Sequence, residues 1–152
     1  MLNDGKEDTK TCYTVGLNNI VEYKISENIM RNIYIYKNES KSQVEQFFEN
    51  ADVKLQNKFK TILSYISNKN NLLCEPYVKH ISIGRYRELY EIRMKTSGNM
   101  VRVLFVKQGE DIVLLYAFYK KSSKDTEKAL DVAFKTLNKV KENDGVVEIT
   151  VA

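Results

Sequence analysis

The stretch ELYEIRMKTSGNMVRVLFVKQGEDIVLLYAFY (residues 88–119) decides the fold. Its β-branched, aromatic and leucine-rich runs at 88–95, 100–107 and 111–119 are separated by TSGN and QGE, short turn sequences that join antiparallel strands. The stretch therefore predicts a β-meander of three strands. Upstream, IYIYK (residues 33–37) reads as one more short strand. Ser40 with Gln43 and Ser42 with Glu45 both fit the capping box, in which a hydroxyl and a Glu or Gln satisfy the free amides of a helix start. Val44, Phe47, Phe48 and Ala51, and then Leu55, Phe59, Ile62, Leu63 and Ile66, keep the spacing of an amphipathic helix. Two helices are thus predicted across residues 42–69, able to pair as an antiparallel hairpin.

Downstream of the meander, Asp125 is the predicted N-cap of a closing helix whose apolar stripe is Leu130, Ala133, Phe134, Leu137 and Val140. The tail VVEITV reads as a further strand. The segment KNNLLCEPYVKHISIGRYR holds the only proline, Pro76, together with Gly84, and is expected to be an irregular connection. In the first 32 residues GLNNIVEYKI is the one plausible strand. The expected organisation is an N-terminal extension (1–32), a domain (33–143) and a C-terminal tail (144–152). The order β-α-α-β-β-β-α gives an α+β domain, with one antiparallel sheet, helices packed on one face and the other face open.

Composition limits the chemistry. A chain of 152 residues with 43% hydrophobic content is the size of one globular domain. It has no long apolar run and no basic-then-apolar leader, so neither a membrane span nor a secretory signal is expected, and a cytoplasmic location is. Two cysteines without C-x-x-C spacing and a single histidine argue against a cysteine-and-histidine zinc site or a disulfide framework, and no cofactor is expected. Charge is uneven: residues 53–121 carry 13 Lys and Arg against 5 Asp and Glu, while residues 1–52 carry 6 against 9. Such a cationic middle suits a polyanion, because each neutralised phosphate releases counterions.

Strand alternation sharpens this expectation. If Lys95 pairs with Met100, Arg93 lies opposite Arg102, whereas a slip of one residue separates them onto opposite faces. Facing like charges destabilise a sheet, and an anion between them would relieve the repulsion. If Lys107 pairs with Asp111, Arg102 faces Tyr116, with Phe118 and Lys120 continuing that face. The face would then show Glu91, Arg93, Arg102, Tyr116 and Lys120, combining bidentate and point-charge phosphate donors with a ring for base stacking. The plainer alternative is that the arginines pair with Glu88, Glu91 or a helix carboxylate, and that Lys120 and Lys121 are solvated strand-end residues.

Other candidates also have two readings. His80 is a general base near neutral pH or a surface loop residue. Lys79, Arg85 and Arg87 form a rim that tracks phosphates or an ordinary solvated loop. Cys74, beside Leu72 and Leu73, is expected to be a small buried hydrophobe.

The runs EIR (residues 91–93), VRVL (101–104) and IVLLYAFYKK (112–121), followed by a helix containing Ala133, resemble the RelE/HigB superfamily of toxins from bacterial toxin–antitoxin pairs, most closely its phage-derived branch. The resemblance covers about residues 33–143. It implies a RelE-like fold and a metal-independent endoribonuclease, an mRNA interferase acting on ribosome-bound mRNA and restrained by a cognate antitoxin of helix-turn-helix type. In such enzymes the 2′-hydroxyl attacks the adjacent phosphate, which requires a base, cations for the phosphorane and an acid for the leaving 5′-oxygen. The resemblance assigns Arg93 and Arg102 as phosphate and transition-state clamps and Lys120, with Lys121, as a further cationic contact or proton-transfer group; the strand and loop positions add Tyr116 as a catalytic candidate and Lys79, His80, Arg85, Arg87 and Phe118, beside Lys121, as RNA contacts. Many relatives have a histidine pair-member where this chain has Tyr116, and an unperturbed tyrosine, with a pKa of ~10, is a poor base at neutral pH, which leaves the proton acceptor open. Two other functions share the fold: a ParE-like, non-enzymatic inhibitor of DNA gyrase, and an inactive module that only binds its partner.

Overall fold

The computed structural model describes the backbone of residues 10–16, 19–25, 29–142 and 146–149, and the side chains of residues 29–142. The meander is present: β5 (Leu89–Thr96), β6 (Asn99–Gln108) and β7 (Asp111–Tyr119) form consecutive antiparallel pairs. Around it lie β3 (Ile33–Tyr36), α1 (Gln43–Glu49), α2 (Val53–Ser67), β4 (Val78–His80), α3 (Ser123–Lys141) and β8 (Val146–Ile149). The predicted strand in the extension corresponds to β2 (Asn19–Ile25), which pairs with β1 (Lys10–Gly16) in a separate two-stranded sheet.

The main sheet has the order β4-β5-β6-β7-β3-β8. The α+β class is as expected, but the sheet is mixed, because β3 runs parallel to β7. The chain crosses from β3 to the meander through α1 and α2, and a helical crossover is what a parallel pairing requires. The tail pairs antiparallel with β3 as β8, with Ile33 opposite Ile149. Residues 69–87 are more ordered than expected, since β4 adds an edge strand with Lys79 opposite Glu91.

The expectation that all helices share one face is overturned. Leu55, Phe59, Ile62 and Ile66 of α2 and Val44 and Phe48 of α1 pack with Ile92, Met94, Val101, Val103 and Phe105 on one face of the sheet. Leu130, Ala133, Leu137 and Val140 of α3 pack with Leu89, Leu104, Val106, Val113 and Phe118 on the other. Both faces of the central strands are apolar and both must be removed from water, so no face is left open. Side-chain capping fixes the helix starts. The Ser42 hydroxyl accepts from the Glu45 amide at 3.2 Å, and the Asp52 carboxylate from the Leu55 amide at 2.8 Å. At α3 the N-cap is Ser122, not Asp125. Asp125 lies in the first turn, and its carboxylate accepts from the amides of Lys121 and Ser122 at 2.8 and 3.0 Å.

Two features of the meander set which side chains meet. Ser97 and Gly98, both with positive φ (45° and 83°), form a two-residue turn that pairs Thr96 with Asn99 and so brings Arg93 opposite Arg102, as expected. The second hairpin differs: its turn is Gly109-Glu110, Gln108 faces Asp111, and Arg102 faces Phe118 instead of Tyr116. A bulge lies between them, since Phe105 pairs with Leu114 and Leu104 with Tyr116, leaving Leu115 without a counterpart. The extra residue exchanges the two faces of β7 beyond it, which places Tyr116, Phe118 and Lys120 on the Arg102 side.

Candidate nucleic-acid site

Glu91 and Arg93 alternate along β5 on the α3 side of the sheet, and Arg102 joins them from β6. The Glu91 carboxylate lies between the two guanidiniums, with one oxygen 3.4 Å from Arg93 Nε and 3.7 Å from Arg102 Nε. The anion that relieves the arginine repulsion is thus supplied by the chain itself. Glu91 and Arg102 are each only 5% exposed. Burial pushes the Arg102 guanidinium below its ordinary value, with Glu91 opposing and Arg93 adding to the shift. Its Nη1 donates to the Val101 carbonyl at 3.1 Å. Arg93 is the reachable member of the pair, half-buried and joined at 3.1 Å to Glu75 of the preceding loop. Glu75, Arg93, Glu91 and Arg102 form a ladder of alternating charge across the sheet.

A cavity of about 180 Å³ opens on this ladder, lined among others by His80, Glu91, Arg93, Lys120 and Thr126. The strand pairing of β4 carries Lys79 and His80 to its wall, the bulge in β7 turns Lys120 towards it, and the first turns of α3 close it with Thr126. His80 Nε2 donates to the Arg87 carbonyl at 2.6 Å, which fixes the tautomer and leaves Nδ1 as the free ring nitrogen. Buried atoms here lack hydrogen-bond partners among the described residues: Arg93 Nε, Arg102 Nε and the Thr126 hydroxyl. Unsatisfied buried polar atoms are costly, and two of these residues, Arg93 and Thr126, line the cavity, which suits a polar or anionic occupant.

Several sequence-predicted residues lie elsewhere. Tyr116 is on the far side of α3, lining a separate cavity with Tyr36, Lys41 and Thr136. The bulge and the packing of α3 over Phe118 separate it from the arginines. Phe118 is 8% exposed and packs under α3, so its ring faces the core and is not offered to a base. Arg85 is tied to Asp131 at 2.6 Å and lies over the rings of Tyr86 and Phe134, where it fastens the loop to α3. Arg87 is exposed and meets the site through its carbonyl alone, while the exposed Lys121 starts the turn into α3. Cys74 is exposed, contrary to expectation, because it sits on the outside of the loop before β4. Sequence reasoning missed Thr126, while the pairing of the arginines with Glu91 is the plainer of its two readings and is what the structure shows. The alternation of Glu91 with Arg93 was visible, but nothing in the sequence marks Thr126. Among the described residues no group of three His, Cys, Asp or Glu is placed to hold a metal ion, and no helix is long and apolar enough to cross a membrane.

The order of elements and the sheet define a small α+β domain of RelE-like type. More narrowly, the chain belongs to the family described as Phage derived protein Gp49-like (DUF891), which matches residues 46–138 and falls within the RelE/HigB-like toxin group. The match takes in α2, the meander, the arginine ladder and most of α3. Neither a curated protein nor a solved structure matches the chain. Membership is consistent with the toxin of a toxin–antitoxin pair and implies an antitoxin as partner.

Proposed function

We propose that the protein is a toxin that cleaves messenger RNA, without a metal, on the ribosome in the cytoplasm. The observation that carries the reading is the half-exposed Arg93, held by Glu91 at the mouth of a cavity that also collects Lys120, His80 and the unpartnered Thr126 hydroxyl. The scissile phosphate binds Arg93 in place of Glu75, and Lys120 supplies a second, mobile positive charge. The 2′-hydroxyl attacks the adjacent phosphorus, giving up its proton to His80 Nδ1. The bond to the 5′-oxygen then breaks, and that oxygen takes a proton from Lys120. The products are a 2′,3′-cyclic phosphate and a 5′-hydroxyl end. Arg93 stabilises the phosphorane directly, while Arg102, from its buried position, holds Glu91 and so fixes the orientation of Arg93. A partner antitoxin, in this reading of helix-turn-helix type, silences the enzyme by covering the cationic rim of Lys79, Arg87 and Lys121.

The test is induced expression of wild type and Arg93→Ala in a bacterial host, mapping messenger RNA 5′ ends within minutes. New ends, in frame with codons, with the wild type alone support the reading. Growth arrest with intact messages would instead direct attention to gyrase, and no arrest would favour a module that only binds its partner.

A further inference from the structure

A second cleft, of about 350 Å³, lies on the other side of Arg93, at the edge of β5 that β4 leaves uncovered. Its lining mixes flat and soft apolar groups, Pro76, Tyr77, Met94 and Met100, with Lys58, Lys95 and Glu75. Lys58 reaches over from α2 and donates to the Lys95 carbonyl at 2.8 Å, so the helix and the strand edge are fastened there. Tyr77 is 38% exposed and leans on Tyr65, with ring centroids 5.2 Å apart, so a second aromatic ring backs it. Arg93 lines both this cleft and the smaller cavity. An RNA phosphate bound to Arg93 therefore has its neighbouring nucleoside at one of the two openings, and this one is the larger.

Building on the nuclease reading, we propose that this cleft is a nucleobase subsite that favours guanine. Tyr77 supplies the stacking surface, with Met100 and Met94 as adaptable walls. Glu75 supplies the discrimination. Its carboxylate only accepts hydrogen bonds, and it is 68% exposed while paired with Arg93. When a phosphate takes Arg93, that carboxylate is released at the mouth of the cleft. Guanine offers it two adjacent donors, N1–H and the N2 amino group, whereas uracil offers a single N–H between two carbonyl oxygens that a carboxylate repels. Lys58 and Lys95 lie where the phosphate beyond that base would run.

The experiment titrates isotope-labelled full-length protein with each of the four nucleoside 3′-monophosphates and with inorganic phosphate, following backbone amide shifts of β5 and β6. Guanosine 3′-monophosphate is expected to bind about tenfold more tightly than the uridine nucleotide, in line with a single stacked, hydrogen-bonded base. Tyr77→Ala should reduce its affinity to that of inorganic phosphate without changing phosphate binding, and Tyr77→Phe should retain the preference. Glu75→Gln should remove the advantage of guanine over the other bases. Equal binding of all four nucleotides and phosphate in the wild type would overturn the base subsite while leaving the phosphate site standing. A guanine preference that survives Tyr77→Ala in a folded variant would place the base elsewhere. Failure of every ligand, inorganic phosphate included, would overturn the subsite and the phosphate site together.

Discussion

Arg93 and Arg102 stand directly opposite one another on β5 and β6, and the buried carboxylate of Glu91 lies between their Nε atoms. One buried carboxylate is shared by two guanidiniums, and Arg93 is the one of the two that reaches the surface, where the exposed Glu75 pairs with it. The two arginines therefore have different roles, which substitution separates. Arg93→Ala should lower RNA cleavage about 10²- to 10³-fold with thermal stability near that of the wild type, as measured by cleavage of a defined message and a melting curve. Arg102→Ala should lower both, because it leaves a buried pair broken.

Glu91→Ala removes the carboxylate that separates the two cations. Breaking a buried charge pair by deleting one partner costs about 3–5 kcal/mol, and here the loss should appear as a lower urea midpoint with an unchanged slope. If the variant matched the wild type in stability, the carboxylate would not be the counter-ion the geometry indicates.

His80→Ala should slow cleavage about 10²- to 10⁴-fold, the range of a lost proton-transfer group. Added imidazole should restore part of the rate in this variant and do nothing for Arg93→Ala. Absence of rescue alongside a normal fold would move the proton acceptor to another group.

The start of α3 is sensitive to acid. Amides of Lys121 and Ser122, followed by the nearby lysines, hold the Asp125 carboxyl below the usual carboxylate range, and the Tyr86 hydroxyl and Arg85 do the same for Asp131. A carboxyl depressed on folding contributes stability that is complete above its unfolded value, about pH 4, and is lost as pH falls through the folded value. Urea unfolding of wild type and Asp125→Asn between pH 6 and pH 2 should therefore show a gap that is widest near neutrality and closes in acid.

Phe105 is fully buried at the centre of β6, in contact with the α1–α2 layer. Phe105→Ala should cost about 3–5 kcal/mol in denaturant unfolding, whereas Leu72→Ala, at a side chain 73% exposed, should be close to neutral.

The local signals in the sequence were strong where the physics is local. Capping by Ser42, the α2 stripe and the Ser97-Gly98 turn each depend on neighbours within a few residues, and with the turn came the opposition of Arg93 and Arg102. What could not be read depends on contacts between distant segments. Nothing near Leu115 announces a bulge, and nothing near Ala133 says which face of the sheet its helix will cover. The burial of Phe118 and the displacement of Tyr116 from the arginines follow from those two facts. Lys120 reached its expected side through a register different from the one expected.

That last point has a consequence for how the chain can change in length. Because side chains alternate, at the present length of β7 Lys120 points to the arginine side only because Leu115 is left unpaired between the Gly109 turn and Lys120. Deleting Leu115 would leave a regular ladder with Leu104 still opposite Tyr116 and Lys120 still on the arginine side, whereas pairing Leu115 with Leu104 would turn the strand over beyond that point and carry Lys120 to the α1–α2 side, away from Arg93. Insertions in surface loops carry no such penalty. The lysine is therefore placed by arithmetic along the strand, and a one-residue slip in the pairing of β7 beyond Leu114 would silence it while every charged group of the site remained in the sequence.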